Sequence, residues 1–498
     1  MPFALVSVYD KNNIEDLCEE LKNQGFNILA TSSTAKYLKE KGFDVTEVSE
    51  YTGFKELIGG RVKTLHPKIF AGILARRDKK EDLEELKKEN IPLIDIVVCN
   101  LYPFSKVISK KEVNLEEALE NIDIGGVSLL RAAAKNFPWV LVVSSPEDYA
   151  RVIEYLKSGK DDVNFRRKMA IKAFSITNEY DGIISSYLLE GVQENINLNL
   201  IKRLDLRYGE NPQQKAGFYT LPCQDIPWIK LQGKELSFNN LTDMDSAWNL
   251  VEEFSEPTVA IIKHNNPCGV ASDNEPQNAF LKAFESDPVS AYGGIIACNF
   301  KLDEETAKEI TKSFFEVVIA PDITDEAKEL LSKKKNLRVL ISKENAQENS
   351  FEIKTLRRGF LVQDFNKILL DKYEVKTSHK PDEKDLEELL FALKVVKHTK
   401  SNAIVVTKNK QTLGIGAGQM NRVQSVRIAL EQAGEKAKGA YLASDAFFPF
   451  SDSIELAAKY GIKAVIQPGG SIRDNEVIEV AEKNGIILVM IDVRHFRH

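Results

Sequence analysis

The sequence lacks the features that would place it in a membrane or in an oxidising compartment. Its 498 residues hold only five cysteines, Cys18, Cys99, Cys223, Cys268 and Cys298, odd in number, scattered, and never in a CxxC pair. That argues against a disulfide framework or a thiolate zinc site and points to a reducing, cytoplasmic setting. Long hydrophobic runs are missing: the longest, such as GIILVMIDV at 485–493, fall far short of the ~18 residues of a membrane span. The start, MPFALVSVYDKNN, has no basic region and meets Asp10 before an apolar stretch could form, so no secretory signal is read. An excess of positive charge is missing too. With 67 Lys and Arg against 74 Asp and Glu, the net charge is −7, which argues against nucleic acid as the main partner.

What is present is an ordinary globular composition, 43% hydrophobic and 28% charged, long enough for about three folding units. Short apolar runs alternate with amphipathic Lys/Glu-rich stretches: FALVSVY, NIEDLCEELKNQG, FNILAT, STAKYLKEKG, DVTEV. That β-α-β-α-β rhythm predicts an α/β fold with a mostly parallel sheet, resumed by IDIVVC at 94–99 and WVLVV at 139–143. The period is lost in the Asn-rich 191–205 stretch, so one domain is read over 1–195 and a second over 196–498. The second holds a weak internal echo: VAIIK leads into KHNNP and later SDPVSAYGG, while Leu393 to Lys397 leads into KHTKSN and later SDAFFPFSD. It predicts two related lobes, roughly 196–365 and 366–498. The charge runs at 76–90 and 332–338 read as solvated helix faces.

Three clusters are candidates for chemistry, each also readable as ordinary structure: a surface loop with incidental cations, a tight turn before a helix, and a satisfied core histidine. In GGRVKTLHP (59–67), Arg61, Lys63, Thr64 and His66 put three potential cations and a hydroxyl in a Gly/Pro-punctuated loop suited to a phosphate or oxyanion. In DIGGVSLLRAAAK (123–135), a loop enters a helix N-terminus where free N–H groups attract anions and Gly125 and Gly126 admit close approach. Asp123 and Lys135 are about three helical turns apart, so spacing alone does not pair them. In IKHNNPCG (262–269), His264 follows an apolar strand. Histidine suits general base work near neutrality, and adjacent Lys263 would disfavour its charged form. Two decoys are rejected. NNPC has no CxxC or HxE to accompany it, so no zinc or other metal is inferred. LGIGAGQ (413–419) has Gln419 at the third glycine position of a dinucleotide fingerprint and no suitable acid downstream.

Together RVKTLHP, CNLYPF (99–104), IDIGGVSLLRAAAKN (122–136), LRYGENPQQ (206–214), KHNNPCG, DPVSAYGG (287–294), IGAGQMNR (415–422), SDAFFPF (444–450) and terminal VRHFRH closely resemble the bifunctional purine-biosynthesis enzymes that are AICAR transformylase and IMP cyclohydrolase. The resemblance runs in order over essentially the whole chain. It implies a methylglyoxal-synthase-like N-terminal domain that closes formyl-AICAR to IMP, followed by two cytidine-deaminase-like α/β lobes. These lobes would transfer formyl from 10-formyltetrahydrofolate, a co-substrate, to AICAR. For ring closure it implies Lys63 at the developing oxyanion and Asp123, Tyr102 and Lys135 for protons and orientation. Ser7, Lys11, Thr34, Arg61, Thr64 and Asn100, with Gly125 and Gly126, would hold the ribotide and its phosphate. For formyl transfer it implies His264 as base, Lys263 at the tetrahedral oxyanion, and Asn402 on the formyl group or carboxamide. Arg207, Tyr208 and Arg494 would grip AICAR, Arg494 at its phosphate, while Tyr292, Gly293, Arg422, Phe447 and Pro449 would bound the AICAR and folate sites. A homodimer with the transformylase site at its interface is also implied.

The chain departs from the family pattern at Thr31-Ser32-Ser33-Thr34, where a Gly-Gly pair is usual in the early phosphate loop, and at Tyr9, in place of a small residue. Tyr292 stands where Phe is frequent. Glu316 sits where some relatives have Asp and is left out of the catalytic set.

Overall fold

The computed structural model describes residues 2–109, 113–188, 196, 198, 200–221, 224–343 and 351–498. The chain divides into two compact units, residues 1–200 with 221–223, and residues 201–220 with 224–498. The boundary expected at 195/196 falls at a stretch, 189–195, outside the described residues, as does Cys223.

The first unit is a five-stranded sheet of β1 (Phe3–Val8), β2 (Asn27–Ala30), β3 (Val45–Glu47), β4 (Ile94–Asn100) and β5 (Leu141–Val143), in the order β3-β2-β1-β4-β5, every neighbouring pair parallel. Helices cover it, so its strands are buried and read as continuous apolar runs. Helix Ile14–Asn23 buries Ile14, Leu17, Cys18 and Leu21, the i, i+3, i+4, i+7 stripe of an amphipathic helix. Because β1 is flanked by β2 on one side and β4 on the other, the chain order reverses there. A parallel sheet opens a crevice at the carboxyl ends of its strands at such a point. Ser7 and Asn100 lie at those ends.

The second unit holds two six-stranded sheets. The first is built from β8 (Trp228–Gln232), β9 (Thr258–Lys263), β10 (Asn266–Ser272), β11 (Ile295–Cys298), β12 (Val317–Ala320) and β13 (Arg338–Ser342), in the order β10-β9-β11-β12-β13-β8. The second is built from β16 (Tyr373–Val375), β17 (Ile404–Thr407), β18 (Thr412–Gly416), β19 (Tyr441–Ser444), β20 (Ala464–Pro468) and β21 (Ile487–Ile491), in the order β18-β17-β19-β20-β21-β16. Strand by strand the two orders match, and so do the directions: only the β11/β12, β12/β13, β19/β20 and β20/β21 pairs are parallel. Two hairpins stand apart from these sheets, β6 (Ile201–Leu206) with β7 (Ala216–Thr220) and β14 (Phe351–Leu356) with β15 (Gly359–Asp364).

The repeat extends to detail. Helices Phe238–Val251 and Glu383–Lys397, which precede β9 and β17, both start in a capping box, Ser237 with Asn240 and Asp382 with Asp385. Gly269 in β10 and Gly414 in β18 each press on the following helix, where a Cβ would stand 1.9 Å from the carbonyl oxygen of Ala283 or of Ala429. Gly416 is held the same way, 2.0 Å from Ser425 O, so the glycines that imitate a dinucleotide fingerprint serve helix-on-strand packing. The sheets meet through β10 and β18: the Ser272 N–H donates to Lys410 O at 2.9 Å and the Val270 N–H to Thr412 Oγ1 at 2.9 Å.

The strand order thus repeats within the second unit, but the letters that suggested a repeat are out of register. Lys263-His264 leaves strand β9, whereas Lys397-His398 ends helix Glu383–Lys397, one element earlier in its repeat. The structural counterpart of the Lys263–Asn266 turn is Lys408–Gln411.

Candidate active sites

In the first unit, Asn100 ties the end of β4 to the loop leaving β1. Its Oδ1 accepts from the N–H groups of Tyr9 (2.7 Å) and Asp10 (2.9 Å), and its Nδ2 donates to Asp10 O (2.8 Å). Thr34, fully buried, is spent on β1, its hydroxyl bonded to Val8 N and O at 3.2 Å each. Thr31 donates to Ser7 Oγ (3.2 Å), and Ser32, the first residue of helix Ser32–Glu40, donates to Glu56. Both Asn100 and Thr34 thus shape the crevice with groups that are already bonded. The exposed rings of Tyr9 and Tyr102 face each other, centroids 5.2 Å apart, so the unusual Tyr9 stands beside a residue expected in ring closure.

Asp123 sits just before helix Gly125–Lys135 and accepts from the Gly126 N–H at 2.7 Å, doing the work of a cap. Tyr180, which the sequence reading did not single out, fixes it from behind: its hydroxyl accepts the Asp123 N–H (2.8 Å) and donates to Asn121 O (3.1 Å). Burial raises the Asp123 carboxyl above the ordinary aspartate range, opposed by the N–H groups of Gly126, Tyr102 and Gly125 and by the charge of Lys63. Lys63 reaches this site on a loop turned by three consecutive left-handed residues, Ile58, Gly59 and Gly60, and closed by Leu57 and Val62. Thr64 packs against the helix start so closely that a Cβ on Gly125 would lie 2.9 Å from its hydroxyl, and one on Gly126 would lie 2.5 Å from Asp123 Oδ2.

Lys63, Thr64, Tyr102, Asp123, Gly125 and Gly126 are thus brought together. Arg61 is exposed and pairs with Glu120, Lys11 lies over the ring of Tyr37, and His66 caps helix Pro67–Leu74 through Nδ1. Lys135 is not brought to Asp123 within this chain. It is exposed at the far end of an 11-residue helix, about 16 Å along the axis.

In the second unit, β9 and β10 are joined by a two-residue turn in which His264 (φ 54°) and Asn265 (φ 60°) are both left-handed, the geometry of a type I′ hairpin. Lys263 donates to Tyr292 O at 2.7 Å. Helix Phe238–Val251 grips the turn: Asp243 Oδ1 accepts the Asn265 N–H at 2.7 Å. The Asn265 amide nitrogen faces Thr242 O at 3.0 Å and Ser246 Oγ and Asp243 Oδ1 at 3.2 Å each. Burial raises the Asp243 carboxyl, against the N–H groups of Asn265 and His264 and the charges of His264 and Lys263. Asp243 escaped the sequence reading because it lies mid-helix, twenty residues from any motif.

The loop before β17 approaches from the other lobe. Lys400 N–H donates to Asn266 Oδ1 (3.0 Å), and Asn402, whose peptide bond from Ser401 is cis, gives its Nδ2 to Gln419 O (2.8 Å). Buried Arg422 donates to Asn402 Oδ1 at 2.7 Å and pairs with fully buried Asp445, which also accepts from Ser401. Arg422 therefore orients Asn402 instead of offering a free guanidinium. Phe447 and Pro449 are exposed on the loop after β19. The guanidinium groups of Arg207 and Arg494, both exposed, stack on Tyr208 (5.2 Å) and Phe496 (4.4 Å). Their edges are free for bidentate contact with phosphate. His495 is fully buried, its ring bonded to Asn366 and Leu369 O, and anchors the terminal segment.

Residues 13–128 match the family described as the MGS-like domain, and residues 133–432 match the AICARFT/IMPCHase bienzyme family. Among curated relatives, the chain is similar to the bifunctional purine biosynthesis proteins PurH of Acetivibrio thermocellus (49% identity over 510 residues, 99% of each chain) and Aquifex aeolicus (51% over 507, 99% of this chain and 100% of that one). It is equally similar to that of Microcystis aeruginosa, 49% identical over 507 residues and 99% of each chain.

Proposed function

From the premise that this chain belongs to the AICARFT/IMPCHase bienzyme family, and so catalyses the last two steps of purine biosynthesis, we propose that the first unit carries the IMP cyclohydrolase and the second the AICAR transformylase. Transformylase chemistry of this kind uses a formyltetrahydrofolate, and the donor here is the 10-formyl isomer. The observation that carries the assignment is the Lys263-His264 turn, which sets a base and an ammonium side by side at a strand end.

His264 takes the proton from the AICAR amine as it attacks the formyl carbon. Lys263 keeps two donors beyond its bond to Tyr292 O, and these face the tetrahedral oxyanion. Collapse breaks the bond between the formyl carbon and N10, and the proton held on His264 passes to N10 as tetrahydrofolate leaves. Asn402 retains one N–H and one lone pair for the substrate carboxamide after its bonds to Gln419 and Arg422. Arg207 and Arg494 hold AICAR, and Tyr292, Gly293, Phe447 and Pro449 bound the folate.

Ring closure needs the two reacting ends of formyl-AICAR held together, because an amide nitrogen is a weak nucleophile. Asp123, lifted by burial, passes a carboxamide proton to the formyl oxygen as the new C–N bond forms, and the formamide nitrogen gives up the second proton as that oxygen leaves as water. Lys63 stabilises the oxygen, and Tyr102 orients the base. The ribotide lies in the crevice by Ser7, Lys11, Arg61 and Thr64. Lys135 has no part in this reading within a single chain.

A homodimer is supported by the ribbon β14–β15, which among the described residues pairs with no other strand and exposes Phe360 (71%), Leu361 (55%) and Val362 (44%). An isolated hairpin is marginal by itself, and an apolar one asks to be covered. A cytoplasmic setting is supported by the free thiols of Cys18, Cys99, Cys268 and Cys298. Among the described residues no helix is long and apolar enough to cross a membrane.

The test is to incubate the protein with AICAR and 10-formyltetrahydrofolate and identify the ribotides by mass spectrometry. IMP is expected. Accumulated formyl-AICAR would show a transformylase without its cyclohydrolase, and no product would overturn the reading.

A further inference from the structure

We propose that Asp243 is a positioning residue for formyl transfer, its carboxylate holding the His264–Asn265 turn in the form that presents the imidazole. This rests on the reading of His264 as the base.

A type I′ turn asks for positive φ at both central residues and is met most cheaply by Asn-Gly. Here it is His-Asn, and a left-handed backbone is disfavoured for a residue that carries a side chain. Something must hold such a turn, and Asp243 does: it takes the Asn265 N–H at 2.7 Å, favours the His264 N–H, and meets the Asn265 amide at 3.2 Å. A base on a two-residue turn swings with that turn, so a carboxylate that fixes the turn fixes the imidazole.

The duplicated lobe shows that this is a built device. Asp243 is the sixth residue of helix Phe238–Val251, and Glu388 is the sixth of helix Glu383–Lys397. The second-lobe turn, Lys408–Gln411, again has two left-handed residues, Asn409 (φ 54°) and Lys410 (φ 51°), and Glu388 Oε1 takes the Lys410 N–H at 2.9 Å. There the turn carries no imidazole, and the Lys410 ammonium is paired with Glu256 (2.8 Å) and Glu387 (3.5 Å). The same clamp thus exists once with a base and once without, which gives an internal control.

The experiment compares Asp243→Ala, Asp243→Asn, Glu388→Ala and His264→Ala in the full chain for formyl transfer, ring closure of supplied formyl-AICAR, and thermal unfolding. Asp243→Ala is expected to lower the kcat of formyl transfer about 100-fold, the scale of a small misplacement of a reacting group, with KM for AICAR within about threefold. Asp243→Asn, which keeps a carbonyl acceptor for the Asn265 N–H, is expected to recover to within about tenfold of the parent. Glu388→Ala should lower the melting temperature yet leave formyl transfer within about twofold, and ring closure should be unchanged in all four. The inference is overturned if Asp243→Ala stays within threefold of the parent, or if Asp243→Asn is as impaired as Asp243→Ala. If His264→Ala retains full formyl transfer, the assignment of the base falls, and this inference with it.

Discussion

The ammonium of Lys263 lies 2.7 Å from the carbonyl oxygen of Tyr292, and Gly293 is what lets the two meet. Gly293 has φ +70°, and a Cβ there would stand 3.1 Å from Lys263 Nζ. Gly293→Ala therefore combines backbone strain with a displaced lysine. Formyl transfer should fall about tenfold or more from a cost of about 1–2 kcal/mol, while ring closure of supplied formyl-AICAR is unaffected. Steady-state rates of the two half-reactions decide it, and an unaltered formyl-transfer rate removes this loop from the site.

The two sites should separate cleanly under mutation. His264→Ala is expected to lower formyl transfer about 10²–10⁴-fold and spare ring closure; Lys63→Ala is expected to lower ring closure about 10²–10³-fold and spare formyl transfer. Loss of both activities from either change in a folded protein would sink the two-site assignment.

Asn100→Ala tests the crevice of the first unit. It leaves the Tyr9 and Asp10 N–H groups without their acceptor, so stability should drop by about 1–2 kcal/mol. The KM for formyl-AICAR should rise, with formyl transfer unchanged. Denaturant titration and kinetics on supplied formyl-AICAR measure both.

Glu253 gives a pH prediction. Burial by itself would raise its carboxyl, but hydrogen bonds from His398 and Lys397 and their charges outweigh burial and hold it at about 2, below the usual 4.5. A depressed carboxylate stabilises the fold above its unfolded value, and that stabilisation is lost as pH falls from 4.5 toward 2. His398, lowered by burial despite Glu253, has the same sign, losing stability below 6.5. The stability gap between the parent and Glu253→Gln should narrow by about 1.4 kcal/mol per pH unit through the lower window. Unfolding midpoints at pH 6, 5, 4 and 3 measure it, and a constant gap would refute it.

If the apolar ribbon is covered by a second copy, sedimentation equilibrium should return twice the 56.0 kDa chain mass. Phe360→Glu should shift it toward the single chain.

Much of the architecture was legible because burial writes it locally. The β-α-β rhythm of the first 47 residues becomes β1, β2 and β3 with their helices, since strands buried on both faces must be apolar runs and helices buried on one side must show a stripe. What was not legible depended on contacts between distant residues. Lys397-His398 imitates Lys263-His264 in letters, yet one is a helix end and the other a turn, and only pairing with β10 shows the difference. Arg422 was expected to bound the AICAR and folate sites, and its pairing with Asp445, twenty-three residues on, cannot be read from either motif. Asp243 and Tyr180 act through backbone N–H groups of turns that periodicity does not reveal.

The matched strand orders of the two lobes make the second unit a scaffold with approximate internal symmetry, and a symmetric scaffold offers every position twice. At this turn the asymmetry of chemistry is written in side chains: His264 in one lobe, Asn409 at its twin. The vacant twin is a ready place to install an imidazole by one substitution, on a backbone already bent to receive it.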